Sequence, residues 1–379
     1  MKKLLFTTVA TCFAVSTFFI SCERRDTDAF PIGAIFPLSG PVAFFGIESN
    51  DGAILAVERI NAAGGLLDRQ LVLISEDDQN IPEHTINAFM SLTTRDNVGL
   101  IVGSSTSGAT IAVSTLAQQT GVVLISPSAT NINVTKAGDF IFRATFVDTF
   151  QGIVGAEFAF NNLGARRAGV LFDQGADYNT GLANAFRDHF ESLGGQVVAF
   201  EAYMTGDVDF NAQITRMAAT NPDIVYLPNF FNDVALQIMQ LRGQGVNVPL
   251  LGGDGWGGVT DLIGEEAANT FWTGKFAPDT TTPMGIEFVR AFEARFNRTP
   301  SQFAAVGYDA MMIVAEGIRN AGSFDPPAVR DAMARIEGNF VTGHLRFDEN
   351  RNPIKGVTIL QILNRNGVMV NAYYTTINP

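Results

Sequence analysis

Residues 168–202 read AGVLFDQGADYNTGLANAFRDHFESLGGQVVAFEA, which is an apolar run, a mixed segment and a second apolar run. Within the mixed segment, Leu182, Phe186, Phe190 and Leu193 fall on one face of a helix. Two short apolar runs joined by an amphipathic helix are typical of a βαβ unit, in which the two strands lie parallel in one sheet. This stretch therefore places the protein in the α/β class.

The same alternation continues on both sides of this unit. Downstream, the pattern predicts helices at 211–219 and 233–244 and strands at 224–227 and 248–251. Upstream, it predicts a helix at 51–60 that ends at a glycine pair, and strands at 31–36, 70–75, 99–102 and 122–125. Because the strand at 32–36 corresponds to the strand at 168–172, the sequence predicts two Rossmann-like lobes.

The region after residue 276 changes character. Its pattern predicts helices at 283–296 and 303–321, followed by a strand pair near 345–347 and 357–363. A C-terminal region shared by two lobes makes the chain cross between them more than once, with a hinge near residues 148, 276 and 343. The predicted division is lobe 1 at 30–147 and 278–342, and lobe 2 at 148–277 and 343–379. Open α/β sheets bind at the carboxyl ends of their strands, so the cleft between the lobes is the predicted ligand site.

The composition is that of a folded, acidic protein. Of the 379 residues, 46% are hydrophobic and 17% are charged, which is enough for a large core. The chain has 38 acidic and 25 basic residues, so its net charge is −13, and no basic cluster stands out downstream of the N-terminus. Such a surface repels a phosphate backbone, and we expect no nucleic acid partner.

The first 21 residues have the organisation of an export signal. Lys2 and Lys3 precede an uncharged run at 4–20, and Ser21 and Cys22 follow it. The order FISC at 19–22 resembles a bacterial lipobox, which implies lipidation of Cys22 and a charged tether at 22–29. An ordinary secretory signal with an incidental cysteine is the alternative. No later segment approaches the ~20 apolar residues of a membrane span, and the cysteine count leaves none for a disulfide.

Three loops at predicted strand ends carry small and polar residues. The loop GSSTSG at 103–108 precedes a helical pattern, so its N–H groups and the helix dipole favour a carboxylate, although Ser107 can also be a plain N-cap. The loop SPSAT at 126–130 adds a hydroxyl and carbonyls, or is a simple proline-containing turn. The loop GGDGW at 252–256 places Asp254 between glycines that let a ligand approach the backbone, or is a turn formed by the aspartate. An anion site and a carboxylate at the ends of different strands suit a zwitterion.

Five motifs, in chain order, resemble those of the type I solute-binding proteins of branched-chain amino acid ABC transporters. They are PLSGP at 37–41, AVERINAAGG at 56–65, EDD at 76–78, ISPSAT at 125–130 and GGDGW at 252–256. The resemblance extends from about residue 30 to about residue 363. It implies the type I periplasmic binding protein fold, in which two lobes joined by a hinge close over an amino acid, branched-chain or otherwise apolar, and deliver it to a membrane ABC permease.

The resemblance also implies roles for individual residues. Ser107 and Thr130 bind the ligand carboxylate, while the Ser128 carbonyl and the Asp254 side chain bind the ammonium group. The residues that surround the ligand side chain are Phe45, Ser105, Thr106, Ala129 and Phe303. Tyr178 and Phe230 close over the ligand from the other lobe.

Other chemistry has little support in the sequence. The three histidines, His84, His189 and His344, lack a metal-ligand spacing, and the loop at 103–108 lacks the order of a nucleophile elbow. We therefore expect no enzymatic activity, no metal and no cofactor, and we set aside a hydrolase on this fold. The expected protein is a monomeric, lipid-anchored importer component in the periplasm or at the extracytoplasmic membrane surface. A ligand-sensing receptor domain and a binder of an amide or urea-type ligand are the alternatives.

Overall fold

The computed structural model describes residues 29–379 of the chain. The predicted signal peptide, Cys22 and the tether up to residue 28 lie outside the described residues. Among the described residues, no helix is both long and apolar enough to span a bilayer.

The first part of the described chain forms a parallel five-stranded sheet with helices on both faces. In chain order its elements are β1 (Phe30–Phe36), α1 (Ala43–Ala62), β2 (Leu71–Asp77), α2 (Pro82–Thr94), β3 (Leu100–Gly103), α3 (Ser107–Thr120), β4 (Val123–Ser126) and β5 (Ile141–Arg143). The strand order is β2-β1-β3-β4-β5. Because all four pairings are parallel, the carboxyl ends of these strands meet at one edge of the sheet.

The second part repeats this architecture. Its elements are α4 (Asp148–Glu157) with a π-helical turn at Phe158–Asn162, β6 (Arg167–Asp173), α5 (Asp177–Ser192), β7 (Gln196–Tyr203), α6 (Asn211–Ala219), β8 (Ile224–Leu227), α7 (Phe231–Gly243), β9 (Leu250–Gly252) and β10 (Phe271–Gly274). These strands lie in the order β7-β6-β8-β9-β10, which matches the first sheet strand for strand. The predicted α/β class with two Rossmann-like lobes is confirmed.

The chain then returns to the first lobe and crosses once more. It forms α8 (Pro283–Phe296), α9 (Gln302–Ala321), α10 (Pro326–Met333), β11 (Glu337–Phe340), β12 (Gly343–Phe347), β13 (Pro353–Ile354), β14 (Val357–Arg365) and β15 (Val368–Ile377). Helices α8 to α10 contribute to the core of the first lobe. Strands β14 and β15 extend the second sheet in antiparallel fashion beyond β10.

The strands predicted at 345–347 and 357–363 are present as β12 and β14, but they do not pair with each other. Strand β12 pairs with β11 and β13 in a separate three-stranded sheet, whereas β14 pairs with β10 and β15. Leu345 is part of the first-lobe core and Val357 of the second-lobe core, so the last crossing falls between residues 354 and 357 rather than at 343. Strand alternation in a sequence does not identify the partner strand, because long-range packing selects it.

Helix α1 begins at Ala43, eight residues before the predicted start. Its first two turns contain Gly46, Glu48 and Ser49, which break the apolar pattern and yet are buried. Helix α9 packs directly on this part of α1, because a Cβ atom added to Gly307 of α9 would lie 2.1 Å from the Ser49 carbonyl oxygen. The early start of α1 places Phe45 at the boundary between the lobes, where it packs within a core cluster of the second lobe.

Candidate functional site

A small cavity lies where the carboxyl ends of the two sheets face each other. Ten of the eleven predicted site residues line it, and Gly255 is the additional one; the ten are Phe45, Ser105, Thr106, Ser107, Ser128, Thr130, Tyr178, Phe230, Asp254 and Phe303. The remaining free space is about 10 Å³, which about one water molecule fills. The lobes are therefore closed on each other, and an amino acid can enter only if they separate.

Ala129 does not line this cavity. It is buried, and its carbonyl oxygen accepts a hydrogen bond of 3.0 Å from Arg143 Nη1, while Arg143 Nη2 donates to the Asn131 carbonyl oxygen at 2.8 Å. Arg143 is fully buried at the end of β5, and burial lowers its pKa to about 10. This arginine shapes the loop that presents Ser128 and Thr130.

The first lobe contributes hydroxyl groups and the beginning of α3. Ser107 is the first residue of the helix rather than its N-cap, which is Thr106. The Ser107 hydroxyl oxygen accepts a hydrogen bond of 3.1 Å from the Asn131 backbone, and Ser128 Oγ donates to the Ser105 carbonyl oxygen at 2.5 Å. The ends of β3 and β4 are thus tied together beside a helix N-terminus, which favours an anion.

The second lobe contributes Asp254 from a 3-10 turn, Asp254–Trp256, that follows β9. The turn is held by Trp256 Nε1, which donates to the Leu227 carbonyl oxygen at 2.8 Å, and by the Tyr178 hydroxyl, which accepts from the Gly255 N–H at 2.9 Å. A Cβ atom on Gly252 would lie 1.9 Å from the Trp256 ring. This glycine therefore makes room for the indole of the protein rather than for a ligand.

Asp254 is paired with a residue that the sequence analysis did not select. Its Oδ2 forms a buried ion pair with Lys275 Nζ, whereas Oδ1 is buried without a hydrogen-bond partner. Burial lowers the pKa of Lys275, and the charge of Asp254 opposes that shift. Lys275 directly follows β10, the strand beside β9, so the rule that selected Asp254, a polar residue at a strand end, would also have selected Lys275.

A second buried carboxylate, Asp148, begins α4. Both of its oxygens are buried, and the neighbouring Thr130 hydroxyl can donate to them. Burial raises the pKa of Asp148 to about 8, and the nearby charge of Asp254 acts in the same direction, while a hydrogen bond with Thr130 and the charges of Arg143 and Lys275 oppose it. At the cavity wall, Asp254 Oδ1 remains a buried acceptor that needs a donor.

Aromatic rings from both lobes meet around the cavity. The Phe45 and Phe303 rings of the first lobe stack with their centroids 4.1 Å apart, and the Tyr178 and Phe230 rings of the second lobe stack at 5.2 Å. Across the cleft, Phe45 meets Phe230 edge to face at 5.5 Å. These rings make the remaining wall of the cavity apolar and form a direct contact between the lobes.

A larger cavity of about 670 Å³ lies on the hinge side. It is lined by the connecting segments, among them residues 275–277, 279–282 and 354–356, and by none of the eleven predicted site residues. No group of three His, Cys, Asp or Glu side chains within residues 29–379 could hold a metal ion.

The chain is similar in sequence to proteins of a known family. Residues 29–367 match the family model described as periplasmic binding protein. The chain is 32% identical over 332 residues to Leu/Ile/Val-binding protein homolog 3 of Brucella melitensis, which covers 86% of this chain and 88% of that protein.

Two solved structures have the same fold. A leucine binding protein from Thermotoga maritima matches with a TM-score of 0.87 and 30% identity, covering 92% of this chain and 99% of that one. A branched-chain amino acid transporter substrate binding protein from Streptococcus pneumoniae, in complex with isoleucine, matches with a TM-score of 0.84 and 32% identity, covering 93% and 100%.

Proposed function

Because the chain belongs to the periplasmic binding protein family, we propose that it binds an amino acid in the cleft between its lobes and delivers it to a membrane ABC permease. Members of this family act outside the cytoplasm and bind solutes rather than transform them. The chain is accordingly an extracytoplasmic binding protein and not an enzyme.

The observation that carries the proposal is the pairing of two opposite chemistries across one small cavity. On one side, the hydroxyl of Ser107 stands at the N-terminus of α3, where a ligand carboxylate is favoured. Facing it from the second lobe, Asp254 Oδ1 is a buried acceptor without a hydrogen-bond partner. An ammonium group supplies three N–H donors, so an α-amino acid satisfies both sides at once.

We propose a role for each residue that lines the cleft. We assign the carboxylate to Ser107 and Thr130, whose hydroxyls can donate, and the ammonium group to Asp254 and the Ser128 carbonyl. The side chain of the ligand lies among Phe45 and Phe303, beside Ser105 and Thr106, with Tyr178 and Phe230 closing over it. Apolar rings favour an apolar side chain. A branched-chain amino acid fits this wall, and the relatives named above bind leucine or isoleucine.

The location and the assembly state complete the proposal. We propose that lipidation of Cys22 anchors the protein to the membrane, that the chain makes no other membrane contact, and that it works as a monomer. The net charge of −13 agrees with a protein that stays apart from nucleic acid and anionic lipid.

The proposal is tested by a thermal-shift screen of the twenty amino acids, urea and small amides, followed by calorimetry on the hits. We expect stabilisation by leucine, isoleucine or valine, because a ligand that binds only the native state raises its apparent stability. Binding of urea or an amide without any amino acid would overturn the assignment. Neighbouring genes for a permease and two ATPases would favour transport over a ligand-sensing receptor that uses the same clamp.

A further inference from the structure

The ion pair between Lys275 and Asp254 lies at the predicted ammonium site. The two side chains are 0% and 5% exposed, so neither charge is hydrated when the lobes are closed. The Lys275 ammonium lies 5.3 Å from the centroid of the Phe303 ring, one of the rings that line the cleft. The Lys275 ammonium is therefore already paired with the Asp254 carboxylate, which is the proposed partner of the ligand ammonium.

Both residues of the pair belong to the second lobe. Asp254 and Lys275 follow β9 and β10, which are neighbouring parallel strands in one sheet. Gln302 of the first lobe contacts the backbone of both residues. Its Oε1 accepts a hydrogen bond of 2.9 Å from the Lys275 N–H, and its Nε2 donates to the Asp254 carbonyl oxygen at 2.6 Å. In the closed cleft the second lobe therefore presents a carboxylate that already has a counter-ion.

A ligand ammonium can reach Asp254 in two ways. It can bind Oδ1, which has no partner, and remain close to the Lys275 ammonium, or it can displace Lys275 from Oδ2. Displacement has room, because Lys275 also borders the 670 Å³ cavity on the hinge side, where Thr342 and Thr358 contribute hydroxyls. In either case the ligand ammonium competes with a charge of the same sign.

We propose that Lys275 is a specificity-determining residue of the cleft, which weakens its preference for zwitterionic ligands over plain carboxylates by neutralising Asp254. This inference rests on the proposed amino acid function of the same site. A ligand without an ammonium group meets a compensated carboxylate in this cleft rather than a bare negative charge. A ligand with an ammonium group has to share or displace the resident cation.

Removal of the Lys275 charge should have opposite effects on two matched probes, L-leucine and its deaminated analogue 4-methylpentanoate. In Lys275→Met, leucine no longer competes with a resident cation, so its Kd should fall by about fivefold or more. The analogue faces an uncompensated Asp254 in the same variant, so its Kd should rise. The preference for leucine, measured as the ratio of the two Kd values, should increase by at least about tenfold, since like charges at contact distance change binding constants by that order.

The experiment is calorimetry at pH 7 with both probes on the wild type and three variants. Lys275→Gln accompanies Lys275→Met, because its amide can still donate to Asp254 and keeps the fold if the methionine variant does not. Lys355→Met is the matched control: this second buried lysine donates to the Ala144 carbonyl oxygen at 3.3 Å and makes no contact with Asp254. A merely structural role of a buried lysine would change both affinities in parallel and leave their ratio unchanged.

The outcomes separate the inference from the proposed function. A ratio that rises in both Lys275 variants and stays constant in Lys355→Met supports the inference. Leucine binding by the wild type with an equal or weaker leucine affinity in the Lys275 variants overturns it and leaves the amino acid function intact. If the wild type binds none of the twenty amino acids, the proposed function fails and the inference fails with it.

Discussion

The hydroxyl group of Tyr178 accepts a 2.9 Å hydrogen bond from the backbone N–H of Gly255, the residue that follows Asp254. Tyr178 belongs to α5 and is 4% exposed, so one buried side chain joins a helix of the second lobe to the turn that presents the carboxylate. The turn is therefore held in place by the same ring that stacks on Phe230 at the wall of the cleft.

The first prediction concerns this hydrogen bond. Tyr178→Phe leaves the ring in place and deprives the Gly255 N–H of its acceptor, so we expect a loss of about 1 to 3 kcal/mol in the free energy of unfolding, the cost of an unsatisfied buried donor. Chemical denaturation measures it, with Tyr374→Phe on an exposed tyrosine as the control. Equal stability of the two variants would contradict the assigned hydrogen bond.

The second prediction concerns Asp254. Asp254→Asn keeps the shape, removes the carboxylate charge and leaves the Lys275 ammonium without its ion-pair partner. A charge-assisted hydrogen bond to the ligand contributes roughly 1.5 to 3 kcal/mol. We therefore expect amino acid binding to weaken by at least about tenfold. Ser107→Ala should cost less, because the N–H groups of α3 still face the carboxylate. Calorimetry on the best ligand decides between these expectations, and unchanged affinity in Asp254→Asn would mean that the ligand is not bound as a zwitterion.

The third prediction concerns motion. The closed cleft leaves only about 10 Å³, so the lobes have to separate before a ligand can enter. Three connections join the lobes, between β5 and α4, between β10 and α8, and between β13 and β14, and a few residues there can absorb the rotation. Small-angle scattering should give a smaller radius of gyration with saturating ligand than without it. The same radius in both samples would indicate that the cleft stays closed in solution.

The fourth prediction concerns pH. Burial raises the pKa of Asp148 to about 8, whereas the pKa of an aspartate in an unfolded chain is about 3.9. Between these values the folded protein binds more protons than the unfolded chain, so the free energy of unfolding falls as the pH rises, by at most about 1.4 kcal/mol per pH unit.

Asp148→Asn removes that dependence. We expect the variant to be more stable than the wild type at pH 8, with the advantage shrinking toward pH 5. Denaturation at pH 5, 6, 7 and 8 measures the difference, and Asp188→Asn, at a side chain that is 68% exposed, is the matched control. A constant difference between the variant and the wild type across this range would contradict the raised pKa.

The fifth prediction concerns the anchor at Cys22. Cys22→Ser should move the protein from the membrane fraction to the soluble fraction and change how the signal is cleaved, because a lipidated cysteine is no longer available. Intact-mass analysis of the native protein should find a lipid-modified Cys22 at the mature N-terminus. An unmodified N-terminus at another residue would leave the ordinary secretory signal as the explanation.

Much of the fold could be predicted from local pattern. The helices at Asn211–Ala219 and Pro283–Phe296 have the predicted bounds because their apolar faces repeat with the helix period, and the strand at Ile224–Leu227 has the predicted bounds because it is a short, fully buried apolar run. The start of α1 was missed because buried Gly46, Glu48 and Ser49 interrupt that period. The helix there depends on contact with α9, which is distant in sequence.

The candidate site, like the fold, could be predicted from the sequence only in part. The sequence determined that hydroxyls and a carboxylate stand at strand ends, since Ser107, Thr130 and Asp254 each follow a recognisable apolar run, and the order of the strands in the two sheets then brings those ends together. Only the tertiary structure decided that Lys275 forms an ion pair with Asp254. It also decided that the Ala129 carbonyl oxygen accepts a hydrogen bond from Arg143 and does not line the cavity. The physical reason is that the partner of a buried charge is whichever group the packing of neighbouring strands brings within hydrogen-bond distance, and Lys275 lies 21 positions after Asp254 in the chain.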